Sequence, residues 1–125
     1  MNSEKIQSFR DLSAWQEGHS LILAIYKETE IFPNKETFGL TSQMRRAAVS
    51  ITSNIAEGFS RHTYKDKVNF YSMALGSLTE VQNQLIIAKD INYLSQDSFN
   101  ELFNQSTLLN KILGGLIRKS RTFIR

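Results

Sequence analysis

The sequence predicts an all-α protein: an antiparallel up-down-up-down four-helix bundle built as a single domain over residues 1–125. Three observations predict it. Apolar residues recur every three or four positions in four separate segments, the spacing of one helix face. Short stretches rich in breakers and caps divide those segments. The 125 residues include one proline, Pro33, and six glycines, so little interrupts a helix elsewhere. No strand-like alternation of useful length competes, and 41% hydrophobic content suffices for one core at this length. Short connections then make consecutive helices pack antiparallel.

The first segment, roughly Leu12 to Glu30, carries Leu12, Trp15, His19, Ile22, Tyr26 and Thr29 on one face. Asp11 or Ser13 is placed to cap it. Phe32-Pro33-Asn34 ends it, because the residue before a proline avoids the helical region. The second, roughly Leu40 to Glu57, has the stripe Leu40, Met44, Ala47/Ala48, Ile51 and Ile55, and Gly58 stands where a left-handed C-terminal cap is expected. The third opens at Thr63, with Asp66 three residues on as an approximate capping box, and runs to about Lys89 through Val68, Tyr71, Leu75, Leu78, Gln82 and Leu85. The fourth takes Ser95 as N-cap, with Leu94 and Phe99 placed for a hydrophobic staple. It continues through Leu102, Phe103, Leu109, Ile112, Leu113 and Leu116 towards Phe123. Trp15, Leu40, Ile51, Leu75 and Leu113 should be substantially buried. Leu21, Leu23, Ile25, Ile86, Ile87 and Ile117 lie off or at the margin of the stripes. They would widen the exposed apolar surface of a monomer, which predicts a homo-oligomer.

Catalytic chemistry finds little to use. The chain has no cysteine, so a disulfide framework or thiolate metal site is excluded, and a reducing, cytoplasmic home is expected. Met1 to Arg10 has no apolar run of signal-peptide length, and the longest wholly apolar stretch, Leu21 to Tyr26, is far short of a span, so no membrane partner is expected. The two histidines, His19 and His62, lack the close spacing of metal-binding pairs, and His19 reads as an interior or interface residue. No glycine-rich phosphate loop occurs. Gly114-Gly115, inside a helical pattern, reads as a close helix approach or slight bend, and Gly76 beside Ser77 as a close-crossing point. Glu57 and Glu80 are the carboxylates on core-bearing helices, and paired carboxylates serve acid–base work. The reading taken is a structural ion pair of Glu80 with Arg45 and Arg46 across helices two and three. Ser50, Thr52, Ser53 and Asn54 crowd small polar groups together, either for close packing with Asn54 fixing register or as a ligand-facing patch. The expectation is a non-enzyme with no catalytic residue, metal or cofactor.

The stretch Phe38-Gly39-Leu40-Thr41-Ser42-Gln43-Met44-Arg45-Arg46-Ala47-Ala48-Val49-Ser50-Ile51, running on into Ser53-Asn54-Ile55-Ala56-Glu57-Gly58, carries a resemblance. It resembles the signature of bacterial four-helix bundle proteins named for open reading frames in intervening sequences of large-subunit ribosomal RNA. Phe9-Arg10-Asp11-Leu12 with Trp15, Phe32-Pro33, and Gly76-Ser77-Leu78 with Glu80 resemble that family's opening, first turn and third helix, so the likeness covers roughly Phe9 to Leu116. The family is similar to the accessory protein of diversity-generating retroelements. The resemblance implies an antiparallel four-helix bundle and a ring in which five subunits, a pentamer, is the expected number. It also implies a poorly defined function, with nucleic-acid association a suspicion and not a general property, and no accepted catalytic residues. Thr52 departs from the pattern where proline is a frequent choice, which should leave the helix straighter.

A net charge of +3 hides a polarised molecule. In an up-down-up-down bundle the N-terminus, the second connection and the C-terminus share one end. That end gathers nine basic residues, Lys5, Arg10, Arg61, Lys65, Lys67, Arg118, Lys119, Arg121 and Arg125, against Glu4, Asp11, Glu57 and Asp66, a balance of +5. The other end sets Lys27, Lys35 and Lys89 against Glu28, Glu30, Glu36, Asp90, Asp97 and Glu101, a balance of −3. On an ideal helix at about 100° per residue, Lys111, Arg118, Arg121 and Arg125 fall within about 80° of arc, opposite the apolar face, and span about 21 Å. The macrodipole favours cations at a helix C-terminus, but Arg61, Lys65 and Lys67 stand at the start of a helix, where it disfavours them. The candidate nucleic-acid-binding residues are therefore Arg61, Lys65, Lys67, Lys111, Arg118, Lys119, Arg121 and Arg125, with RNA or DNA as the partner. The alternative is a protein-interaction scaffold that docks a partner enzyme without touching nucleic acid.

Overall fold

The computed structural model describes residues 5–125. Four helices follow in chain order, α1 (Ser13–Thr29), α2 (Leu40–Ser60), α3 (Tyr64–Asp90) and α4 (Gln96–Arg121), with single 3-10 turns at Phe9–Asp11 and Asn34–Glu36. No strand occurs among the described residues. α1 packs on α2 and α4, and α3 packs on the same two, so α1 and α3 stand diagonally opposed. Specific contacts fix the directions. Gly58 lies against Tyr71 while Ser50 meets Ser77, so α2 and α3 run antiparallel. Lys89 sits over the Phe99 ring while Gln82 bonds Ser106, and Arg45 bonds Thr29 while Gly18 abuts Thr52. α4 returns along α1 through Gly18 beside Leu109 and Ser20 bonded to Gln105.

The helix ends follow local chemistry, with two departures from the sequence reading. The Thr63 hydroxyl accepts the Asp66 N–H and the Ser95 hydroxyl the Ser98 N–H, both at 3.1 Å, as expected of N-caps. Neither Asp11 nor Ser13 caps α1, whose N-cap is Leu12. Asp11 instead closes a capping box with Ser8 around the preceding 3-10 turn. Gly58 is not a left-handed cap. It is buried inside α2, which continues to Ser60, and no described glycine has positive φ. A Cβ there would meet Tyr71 Cε1 at 2.8 Å and Phe70 Cβ at 3.0 Å, so glycine serves the close approach of α3. The left-handed position is Asn92, with φ 68°, in the turn after α3.

At the acidic end, Glu36 ties two connections together. One carboxylate oxygen accepts the Leu40 N–H at 3.0 Å and the other accepts the Tyr93 O–H at 2.9 Å. These bonds, the Leu40 N–H foremost, hold the Glu36 carboxyl below its ordinary range. The stability the tie contributes is therefore full above that ordinary range and is lost as pH falls below it, through the lowered value of the folded state.

Leu21, Ile25, Met44, Ile51, Ile55, Leu78, Leu85, Leu109 and Leu113 form the fully buried centre. Ile51 and Leu113 are where the periodicity put them, and Trp15, Leu40 and Leu75 pack half-buried against them. The face of α1 is rotated from its expected stripe. Leu21 and Ile25, placed off the stripe by the sequence, are wholly buried, as is most of Ile117, whereas His19 and Tyr26 are exposed. The cause is that α1 is gripped from two sides, by α2 and α4, so its buried arc includes Ala14, Gly18, Leu21 and Ile25. His19 stacks on Trp15 at the surface with centroids 4.8 Å apart, not in the interior. Leu23, Ile86 and Ile87 stay exposed, as the sequence reading expected.

The small polar residues of α2 are mostly structural. Ser50 bonds Ser77 across the α2–α3 seam at 2.9 Å, Asn54 bonds the Ser50 carbonyl at 2.9 Å, and Thr52 is buried against Gly18. Among the described residues one interior side-chain group lacks a partner: the buried Gln84 carbonyl, whose amide reaches only Glu80 at 3.4 Å. An unpaired buried acceptor costs about 1–3 kcal/mol. Gln84→Met is expected to stabilise the fold by about 1 kcal/mol, read as a raised urea midpoint; an unchanged or lowered midpoint would show that the carbonyl is satisfied in solution.

Candidate nucleic-acid interface

The fold brings three distant pieces of chain to one end. The connection between α2 and α3 is three residues long, Arg61 to Thr63, so the start of α3 stays beside the end of α2. α4 ends against them. A groove of about 290 Å³ is lined jointly by Ile6, Leu12, Phe59, Tyr64, Leu116 and Phe123, which unites the N-terminal segment, the α2–α3 turn and the C-terminus. Of the acidic residues assigned to this end, Glu4 lies outside the described residues; the described ones are Asp11, Glu57 and Asp66.

Six of the eight candidate cations, Lys65, Lys111, Arg118, Lys119, Arg121 and Arg125, are both exposed and outside any ion pair among the described residues. Arg118 folds back along α4 over a glycine notch. A Cβ on Gly114 would lie 3.4 Å from one of its guanidinium nitrogens and one on Gly115 3.8 Å from the other. The glycine pair is thus not the close helix approach that the sequence offers as one reading, but the seat of an arginine. Gly76 is likewise no crossing point, since nothing lies within 4 Å of the Cβ it lacks; the close approaches are at Gly18 and Gly58.

The other two cations are tied to the fold. Arg61 pairs with Glu57 at 2.7 Å and lies over the Phe70 ring. Lys67 donates to the Phe59 carbonyl at 2.6 Å beneath the Phe59 and Tyr64 rings, and burial pushes its ammonium below the ordinary lysine value. Their position at a helix start now has a physical account. The start of α3 lies beside the end of α2, whose last carbonyls lack helical donors and carry the negative pole of that helix. Below them the buried Tyr71 phenol, pushed up to about 12 chiefly by desolvation, stays neutral and floors the end.

Arg125 leaves the α4 stripe. The helix stops at Arg121, the Thr122 hydroxyl turns back to the Lys119 carbonyl at 2.6 Å, and Arg125 joins His62, Tyr64 and Lys65 around a second groove of about 400 Å³. The stripe proper, Lys111 to Arg121, is therefore shorter, about 15 Å at 1.5 Å per residue. Three members of this end were missed in the sequence: His62, Tyr64 and Phe123. The available signal was aromatic residues interleaved with cations, Tyr64 beside Lys65 and Phe123 between Arg121 and Arg125.

The expected ion pair of Arg45 and Arg46 with Glu80 does not form. Arg45 donates to the Thr29 hydroxyl at 2.9 Å and the Tyr26 carbonyl at 3.3 Å, with its guanidinium over the Tyr26 ring. It faces the open carbonyls at the end of α1, which attract a cation as the end of α2 attracts Lys67. Arg46 and Glu80 share the wall of a shallow groove with Ser50, and the pairs formed among the described residues are Arg61–Glu57 and Lys89–Asp90. No group of three metal-ligating side chains occurs among the described residues, and none of their helices is long and apolar enough to cross a membrane.

Comparison with known proteins gives a family match and a structural likeness. Residues 10–115 match the family described as 23S rRNA-intervening sequence protein. The fold is similar to a solved structure from Bacteroides thetaiotaomicron, described as a protein with unknown function from the S23 ribosomal protein family. The TM-score is 0.75 at 23% identity, over 83% of this chain and 97% of that one. At that identity the likeness speaks to the four-helix fold. No curated protein matches the chain.

Proposed function

This chain belongs to the 23S rRNA-intervening sequence protein family, and on that premise we propose that it is a non-enzymatic, self-associating protein that holds RNA or DNA by the phosphate backbone at the basic end of its bundle. One observation carries the reading. Lys65, Arg118, Lys119 and Arg121 are exposed at one end and in no ion pair among the described residues, while the acidic excess lies at the other. Phosphate contacts position a nucleic acid without reading its sequence, so binding is largely non-specific. In a ring of like-oriented subunits, five by family resemblance, the basic end repeats around one rim and weak contacts act together. Exposed Leu23 and Leu108, 58% and 47% accessible, support burial against further copies. Light scattering is expected to give a multiple of the 14.3 kDa chain mass; a monomer at tens of micromolar sinks self-association.

The test of the function is an anisotropy titration with the wild-type chain at two salt concentrations. Four phosphate contacts predict a log–log salt slope of about −3 on a single strand. Absence of binding at low salt overturns the reading. It would favour instead a scaffold that docks a partner protein, for which Phe38 and Ile31, 96% and 78% exposed towards the acidic end, are the supporting observation.

A further inference from the structure

We infer that the basic end takes unpaired nucleic-acid strands in preference to duplex, with a base stacked on the aromatic pair Tyr64 and Phe123; this rests on the phosphate-binding function proposed above. The two rings lie 5.0 Å apart at 34°, one from the first residue of α3 and the other from just beyond the end of α4. They are 40% and 49% exposed, and Ile124 beside them is 41% exposed. This is apolar surface left bare at the most charged end of the molecule, where solvation and solubility call for none.

The platform is held in place. Tyr64 directly follows the Thr63 cap of α3, and the Phe123 N–H donates to the Ser120 carbonyl at 3.1 Å. Ordered rings lose little freedom when a base settles on them. The adjoining groove of about 400 Å³ sets Lys65 and Arg125 beside the rings, so a base on the aromatics leaves its flanking phosphates near cations. A cationic groove with stacking aromatics suits single strands because every unpaired base offers a ring face. In duplex those faces are already stacked on one another and cannot reach the pair without unstacking, which costs a few kcal/mol per step. The surface thus separates two tasks. Arg118 and Arg121 supply affinity for any phosphate backbone, and Tyr64 and Phe123 add affinity only for an unpaired strand.

The experiment compares a labelled strand of about 16 nucleotides without self-complementarity, as DNA and as RNA, with the DNA duplex of the same sequence. The wild type, Tyr64→Ala, Phe123→Ala and Tyr64→Phe are titrated at two salt concentrations, with helix content checked by circular dichroism. The expected result is tighter wild-type binding of at least one single strand than of duplex. Each alanine variant is expected to lose about tenfold on that strand alone, with the salt slope unchanged and Tyr64→Phe close to wild type. Equal wild-type binding of strand and duplex, or equal alanine losses on both, overturns stacking and leaves the phosphate reading standing. No wild-type binding to any probe overturns the function itself.

Discussion

Arg118→Glu combined with Arg121→Glu is expected to weaken nucleic-acid binding by about 50- to 100-fold near 50 mM salt, since each lost phosphate contact forfeits about eightfold there through counterion release. The salt slope should flatten by about 1.4 on a single strand, 0.7 for each contact removed. Both side chains are exposed and outside any ion pair among the described residues, so reversal leaves the core untouched. The matched control is Lys27→Glu with Lys35→Glu on the acidic end, expected to change affinity by less than about twofold, because a Debye length of about 10 Å at 0.1 M screens that end from the other. Equal behaviour of the two double variants would reduce the basic end to a solvated surface.

Gly58→Ala is expected to destabilise the protein by about 2 kcal/mol, although alanine is the better helix former by about 0.5–1 kcal/mol. The new methyl would sit 2.8 Å from Cε1 of Tyr71 and 3.0 Å from Cβ of Phe70. Tyr71 is 2% exposed and boxed in, and a Cβ cannot swing aside without moving its backbone. The strain falls on the α2–α3 seam, where Lys67 holds the Phe59 carbonyl and Phe70 lies under Arg61. Gly76→Ala, the same change on the neighbouring helix, meets nothing within 4 Å and should stabilise by about 0.5–1 kcal/mol. Urea denaturation of the two variants reads opposite signs if local packing decides and the same sign if helix propensity alone decides.

The helices, their order and the charge polarity were legible in the sequence because each depends on the residues of one segment or on topology alone. A 3.6-residue period is written into the chain, Thr63 and Ser95 cap through hydroxyls that reach backbone three residues on, and short connections leave only antiparallel neighbours. The basic end followed from counting charges by topology, and the aromatic pair at that end was overlooked because Tyr64 and Phe123 are 59 positions apart and meet only in the fold.

What the tertiary structure alone decided is which groups find each other. Periodicity placed α1 as an amphipathic helix, but being gripped by both α2 and α4 turned Leu21 and Ile25 inward and left His19 and Tyr26 outside. Glycines that local rules read as cap and crossing became a packing seat for Tyr71 and an open surface position. Arg45 leaves its expected ion pair for the carbonyl end of α1, and Lys67 meets the carbonyl end of α2. The physical reason is common to all of these. A helix leaves its last carbonyls without internal donors and its faces without partners, and sequence spacing records that need but not the neighbour that meets it.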